Sequence, residues 1–191
     1  PEMVFELLKH PNIDVNLQDT DGVTVLMRAI VKNQQTIALK LLERDDISVN
    51  LKNNDGQTAL ALITAIGEPQ ERVALKLLNH PKIDINLQNK YGNTALMGAI
   101  GKGHSGIALK LLERGDINIT LQNNYGDTAL SLAQKEGLDL IIDAINNKQQ
   151  CQENLTTMQT FRENPIPSTE FTEYESQPSS EGLKPFIDQN G

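Results

Sequence analysis

Apolar positions recur along the chain in short helical stripes, separated by polar turns that carry glycine or asparagine. Leu26, Ala29 and Ile30 fall on one face of a helix beginning after Thr24, and Ile37, Ala38, Leu41 and Leu42 on one face of a second helix spanning roughly Gln35–Arg44. Lys40, Glu43 and Arg44 point the other way and are expected in water. Before the first stripe, Asp19-Thr20-Asp21-Gly22 reads as a turn in which glycine is free to take a positive φ. Thr24 is placed to accept a backbone N–H bond and cap the first helix. Asn33, between the helices, tolerates the left-handed region better than most residues.

The same pattern is written four times. Gly22, Gly56, Gly92 and Gly126 are spaced by 34, 36 and 34 residues. Each is followed two residues on by Thr24, Thr58, Thr94 or Thr128, and four on by Leu26, Leu60, Leu96 or Leu130. A fixed period in the low thirties predicts stacked repeats, each a small unit that buries its apolar face only against its neighbours. The second unit is longer by two residues at Gly67-Glu68-Pro69-Gln70, a surface-loop insertion of little cost. Residues 4–16 match only the second half of a unit, with Phe5-Glu6-Leu7-Leu8 aligned to Leu39-Lys40-Leu41-Leu42 and His10-Pro11 as its stop. The chain therefore reads as a fragment entered inside a repeat, or as one opened by a half-unit cap. The fourth unit ends in Ile145-Asn146 where the others have Leu-Leu, a polar finish suited to a terminal repeat.

Residues 86–114 carry the pattern in full: an Asn- and Gly-bearing turn with Gly92-Asn93-Thr94-Ala95-Leu96, then Gly103-His104, then Ile107 followed by Leu111-Leu112. The scheme D/N-x-x-G-x-T-x-L, A-x-x-x-G-H, I-x-x-x-L-L, a polar turn and I-D-V-N resembles the ankyrin repeat, over residues 4–146. The resemblance implies an all-α solenoid with short β-hairpin-like turns, and units at 1–15 (half), 16–49, 50–85, 86–119 and 120–147. One departure is uniform: the family's T-P-L-H becomes T-V-L-M, T-A-L-A, T-A-L-M and T-A-L-S here. Proline preorganises a first helical turn, and the histidine normally ties neighbouring units, so stability below the family norm is expected.

Composition narrows the function. Aromatics make up 4% of the chain and tryptophan is absent, which suits a Leu, Ile and Ala core better than a deep aromatic pocket. A net charge of −8 argues against a nucleic-acid partner, which needs clustered Lys and Arg. The single cysteine, Cys151, permits no internal disulfide and fits a reducing, cytoplasmic setting. No apolar run approaches the roughly 18–20 residues of a membrane span, so no membrane partner is expected. From Lys148 the composition turns to Gln, Ser, Thr, Glu and Pro, which predicts a flexible tail over 148–191. Leu155, Met158 and Phe161 in that stretch are spaced for a short helix over 148–162, stopped by Pro165. The tail, with Glu170, Glu173, Glu175 and Glu181 ahead of Phe186-Ile187, resembles the glutamate-rich C-terminal signal of type IV secretion substrates. That resemblance implies an effector secreted by an intracellular bacterium into a host cell, and a scaffold fragment of a larger enzyme or effector is the alternative function.

Candidate chemistry is thin. Gly101–Gly106 spells G-x-G-x-x-G, but a dinucleotide site needs a strand before the glycines, and the repeat register explains them as an inter-helix turn. His104 is structural by its family position, while His10 and His80 stand before prolines at helix ends, where a cation would meet the negative end of the dipole. The carboxylates follow the repeat instead of forming an acid–base pair. Asn118-Ile119-Thr120 and Asn154-Leu155-Thr156 are glycosylation sequons by spelling only. No catalytic residue, cofactor or metal is expected. The resemblance instead implies a monomeric, non-enzymatic module that holds a partner protein on a concave face, through turn tips and inner-helix ends. Carried over, these are Thr20, Asp21, Lys32, Asn54, Asp55, Lys90, Tyr91, Lys102, Asn124 and Tyr125. Two tyrosines occupy the same tip position of adjacent units, a residue type enriched among binding hot spots. Mutual stacking of their rings is the competing reading.

Overall fold

The computed structural model describes residues 6–8, 10, 12–66 and 70–163. Among these, helices α1 (Val25–Val31), α2 (Gln35–Leu41), α3 (Ala59–Ala65), α4 (Glu71–Leu78), α5 (Ala95–Gly101), α6 (Ser105–Glu113), α7 (Ala129–Lys135) and α8 (Asp139–Glu163) follow in order. No strand forms among the described residues; a single antiparallel bridge joins Gln18 and Thr24. The chain divides into a unit over 1–152 and another over 153–191. The insertion at 67–69 and the secretion-signal-like stretch from Glu170 to Ile187 lie outside the described residues.

Within the first unit, helices pair by repeat. The first helix of each repeat packs on the next, α1 on α3, α3 on α5 and α5 on α7, and the second helices do the same, α2 on α4 and α4 on α6. Each first helix starts at its threonine: Thr24, Thr58, Thr94 and Thr128 accept from the N–H of Met27, Ala61, Met97 and Ser131 at 3.2–3.3 Å. Such a cap stabilises a helix by about 1 kcal/mol, which matters for helices of only two turns. Leu26, Ile30, Leu41, Leu60, Ile63, Leu77, Leu96, Ile100, Leu111 and Ile141 are fully buried in one continuous core. Each such side chain is worth about 1.5–3 kcal/mol of burial, and no single repeat could enclose it.

Four expectations change at this level. Where the family places histidine, Met27 and Met97 are buried at 1% and 3% exposure, and Ser131 closes a reciprocal capping box with Thr128. Apolar packing and a second cap thus occupy the position in three of four repeats. Arg44 is not simply solvated: its guanidinium donates to the Leu8 carbonyl at 2.7 Å and pairs with Asp46. Arg114 repeats this on the Leu78 carbonyl at 2.6 Å and on Asp116. Lys148, 34 residues further on, donates to the Arg114 carbonyl at 2.7 Å, so it belongs to the same series of ties. The helix expected over 148–162 is present, but as the continuation of one helix, α8, that runs without a break from Asp139 to Glu163. The cationic form expected of His80 is disfavoured. Burial, then Lys82 and Lys76, hold its pKa below the ordinary value, and its Nδ1 accepts from the Lys82 N–H. In the second unit, helical residues Leu155 and Met158 are exposed at 63% and 71%.

Candidate protein-interaction surface

Every turn tip is built on one side chain three residues before its glycine. The Oδ1 of Asp19 accepts from the N–H of Asp21 and Val23, and that of Asn53 from Asp55 and Gln57. Asn89 holds Tyr91 and Asn93 in the same way, and Asn123 holds Tyr125 and Asp127, all at 2.8–3.0 Å. A short amide or carboxylate that mimics the backbone is the usual source of such turns.

The tips are then tied to one another. The N–H of Asn54 donates to the Asp21 carbonyl, that of Lys90 to Asp55 and that of Asn124 to Tyr91, at 2.9–3.0 Å. Asn54 and Asn124 add their side-chain amides, each 3.0 Å from the carbonyls of Thr20 and Lys90. Gln18 and Gln88 each bridge their own glycine carbonyl to the next repeat, reaching Lys52 and Gln122 at 2.8 Å. Glycine is required where tips press together. At Gly92 a Cβ would stand 2.8 Å from Asn124 Oδ1 and 2.9 Å from backbone of the next tip, with φ at +75°. The result is a row of tips held by backbone, whose side chains one residue before each glycine are left to face outward.

That row contains eight of the ten residues expected at the surface: Thr20 and Asp21, Asn54 and Asp55, Lys90 and Tyr91, Asn124 and Tyr125, all exposed. Lys32 and Lys102, the remaining two, are exposed at the C-terminal ends of α1 and α5. Asp55 is not a free acid, because Lys90 Nζ lies 2.5 Å from its carboxylate. The hydrogen bond to Asp55 raises the Lys90 pKa above the ordinary lysine value. The same ammonium sits 5.1 Å from the centre of the Tyr91 ring, within cation–π range. An acid of the second tip is therefore held together with a base and an aromatic ring of the third. Tyr91 is 47% exposed and Tyr125 77%. A Tyr125 ring so open to water cannot be covered by its neighbour, so the tyrosines are not a stacked pair.

Other candidates resolve as scaffold. His104 is 8% exposed and donates from Nε2 to the Ile66 carbonyl at 2.7 Å, while Gln70 donates to the Ile30 carbonyl from the corresponding place one repeat earlier. Residues 101–106 join α5 to α6, and a helix stands where a dinucleotide site would need a strand. Among the described residues no group of three or more His, Cys, Asp or Glu side chains could hold a metal ion, and no helix is long and apolar enough to cross a membrane.

Unread in the sequence was a second set of side-chain ties, made by three asparagines at the start of their units. Asn16, Asn50 and Asn86, the first residues of their units, each donate to a carbonyl near the end of the same unit (Asp46, Lys82, Asp116) at 2.6–2.8 Å. Each also accepts the N–H of Ser48, Asp84 or Asn118. The recurrence of asparagine at the same step of three repeats, with Thr120 in the last, was the signal.

Two family models match: ankyrin repeats in three copies over residues 1–89, and ankyrin repeats in many copies over residues 77–133. The crystal structure of EF0377, an ankyrin repeat protein, aligns with 31% sequence identity and a TM-score of 0.65, over 75% of this chain and 75% of that one. No curated protein matches the chain.

Proposed function

Since the chain belongs to the ankyrin repeat family, whose members generally serve as non-catalytic protein–protein interaction modules, we propose that it holds a partner protein along its row of tips and the adjoining ends of its first helices. This row corresponds to the edge of the family's concave face. The observation that carries the reading is the outward row itself. Asp21, Tyr91 and Tyr125 join the fold through their backbone and Asp55 through its backbone and its pair with Lys90, at one step per repeat, and all four residues remain exposed. Tyrosine offers apolar area and a hydroxyl with little rotamer entropy to lose, and a rigid tip has already given up its backbone freedom. The Lys90–Asp55 pair fixes the base beside Tyr91, so a partner meets a preformed patch.

The test is affinity capture with the full chain as bait, quantified by mass spectrometry, with wild type set against Tyr91→Ala and Tyr125→Ala. A partner retained by wild type should be lost from both variants, with Tyr91→Ala costing about 2 kcal/mol in a direct titration. Melting temperatures should barely move, because neither ring belongs to the core. Unchanged capture by both variants would refute the tyrosine-centred surface.

A further inference from the structure

The row of tips is closed at three steps and open at the fourth. At Gly22, Gly56 and Gly92 a Cβ would meet atoms of the following tip at 2.8–2.9 Å, whereas at Gly126 it would meet nothing within 4 Å. The carbonyls of Asp21, Asp55 and Tyr91 each accept the N–H of the following tip, and those of Thr20 and Lys90 also accept an asparagine side-chain amide. Among the described residues no donor reaches the equivalent carbonyls of Asn124 and Tyr125. Tyr125 is correspondingly far more exposed than Tyr91.

We propose that this open end is a subsite for a tight turn of the partner protein, one that presents the backbone N–H and the side-chain amide of a single asparagine. The N–H would donate to the Tyr125 carbonyl and the amide to the Asn124 carbonyl, with the partner backbone seated against Gly126 and the Tyr125 ring alongside. The occupant's chemistry is read from the chain itself: Asn54 and Asn124 make this pair of bonds on the preceding tips, while Lys90 makes the N–H bond alone. A second copy fits poorly. Among the described residues the tip N–H without an acceptor is that of Thr20, whose side chain has no amide, so a second copy would make one bond of the two, as Lys90 does at the second step. The inference rests on the reading that the tips hold a partner, and it adds which end leads and what that end recognises.

The probe is a head-to-tail cyclised peptide with the sequence of residues 120–131, whose turn is first verified by slow exchange of its own amides. It is titrated into the ¹⁵N-labelled 191-residue chain. Amide shifts should gather at residues 122–127 and spare the tip at 20–22. The same peptide with alanine in place of its Asn124 should bind about tenfold more weakly, as for one lost amide hydrogen bond. A peptide that keeps its turn but leaves 122–127 unshifted at millimolar concentration overturns the proposal, as does equal binding of the alanine peptide. Concentration-dependent shifts at 122–127 in the protein alone would name a second copy as the occupant and also overturn it. Tyrosine variants that keep their captured partner would sink the broader surface while leaving the peptide result intact, so the two failures are separable.

Discussion

Gly98 lies inside α5 where a glycine costs a helix about 1 kcal/mol relative to alanine, so Gly98→Ala would ordinarily be a stabilising change. The packing argues otherwise. A Cβ at Gly98 would lie 2.9 Å from the Oγ1 of Thr64, with the Thr64 Cβ next at 3.6 Å. Thr64 is fully buried in α3 and its hydroxyl donates to the Ala61 carbonyl at 3.0 Å. It can yield only by rotating that hydroxyl away from its acceptor, which strands a buried polar group at about 1–3 kcal/mol. The alternative, spreading α3 and α5, carries an overpacking cost of similar size. Against a propensity gain of about 1 kcal/mol, Gly98→Ala should destabilise the chain by about 1 kcal/mol net. In a Thr64→Ala background the obstruction is gone and the propensity term stands alone, so the same change should stabilise by about 1 kcal/mol. The coupling of about 2 kcal/mol is read from a double-mutant cycle by urea unfolding followed by circular dichroism. Gly98→Ala stabilising the wild type, or acting equally in both backgrounds, would show that the close approach of α3 and α5 carries no energetic weight.

Asn86→Ala should cost about 2 kcal/mol in urea unfolding, because it removes two ties that link the start of the third repeat to residues 116 and 118 near its end; a loss below about 0.5 kcal/mol, the size of an ordinary surface change, would show the ties to be incidental. His80 has a folded pKa below its unfolded one, so its contribution is whole above about pH 6.5, is lost as pH falls through the folded value, and levels off beneath it. The drop in melting temperature from neutral pH to pH 5 should therefore be smaller in His80→Gln than in wild type, and an equal drop would exclude this histidine. Asp46 and Asp116, whose pKa values are lowered chiefly by hydrogen bonds from Arg44 and Arg114, act in a more acidic window. Their stabilisation is present above the ordinary carboxylate range and disappears as pH falls through their folded values, so Asp116→Asn should flatten the acid limb of a stability profile.

Local features were legible in the sequence because their physics is local. The capping threonines, the left-handed Asn33, which has φ at 54°, and the apolar faces of α1 and α2 need only neighbours within a turn or two. What the sequence hid depends on residues 30–40 positions away, which become neighbours only once repeats stack. Arg44 reads as a solvated cation until its acceptor, the Leu8 carbonyl, is brought beneath it. Lys148 reads as the first residue of a polar tail until the Arg114 carbonyl claims it. The environment of His80 was recoverable, since Lys76 and Lys82 stand four residues before it and two after. The tips lie between these cases: their turn chemistry was plain, but the Lys90–Asp55 contact spans two repeats.

The division of labour within a tip also says where sequence is free to change. The residue two before the glycine joins repeats through its N–H and, in Asn54 and Asn124, through its side chain. The residue one before the glycine joins them through its carbonyl, which any amino acid supplies. Selection for stacking therefore constrains the first position and leaves the second open, and the second is where the chain places Asp21, Asp55, Tyr91 and Tyr125. Asp21→Tyr should then leave stability within about 0.5 kcal/mol of wild type, whereas Asn54→Ala, one position earlier within the next tip, should cost about 1 kcal/mol for its lost amide bond. Parallel urea titrations of the two variants decide the matter. A large loss from Asp21→Tyr would mean that tip side chains carry the stack as well as the surface, and that the outward row is less free for a partner than its exposure suggests.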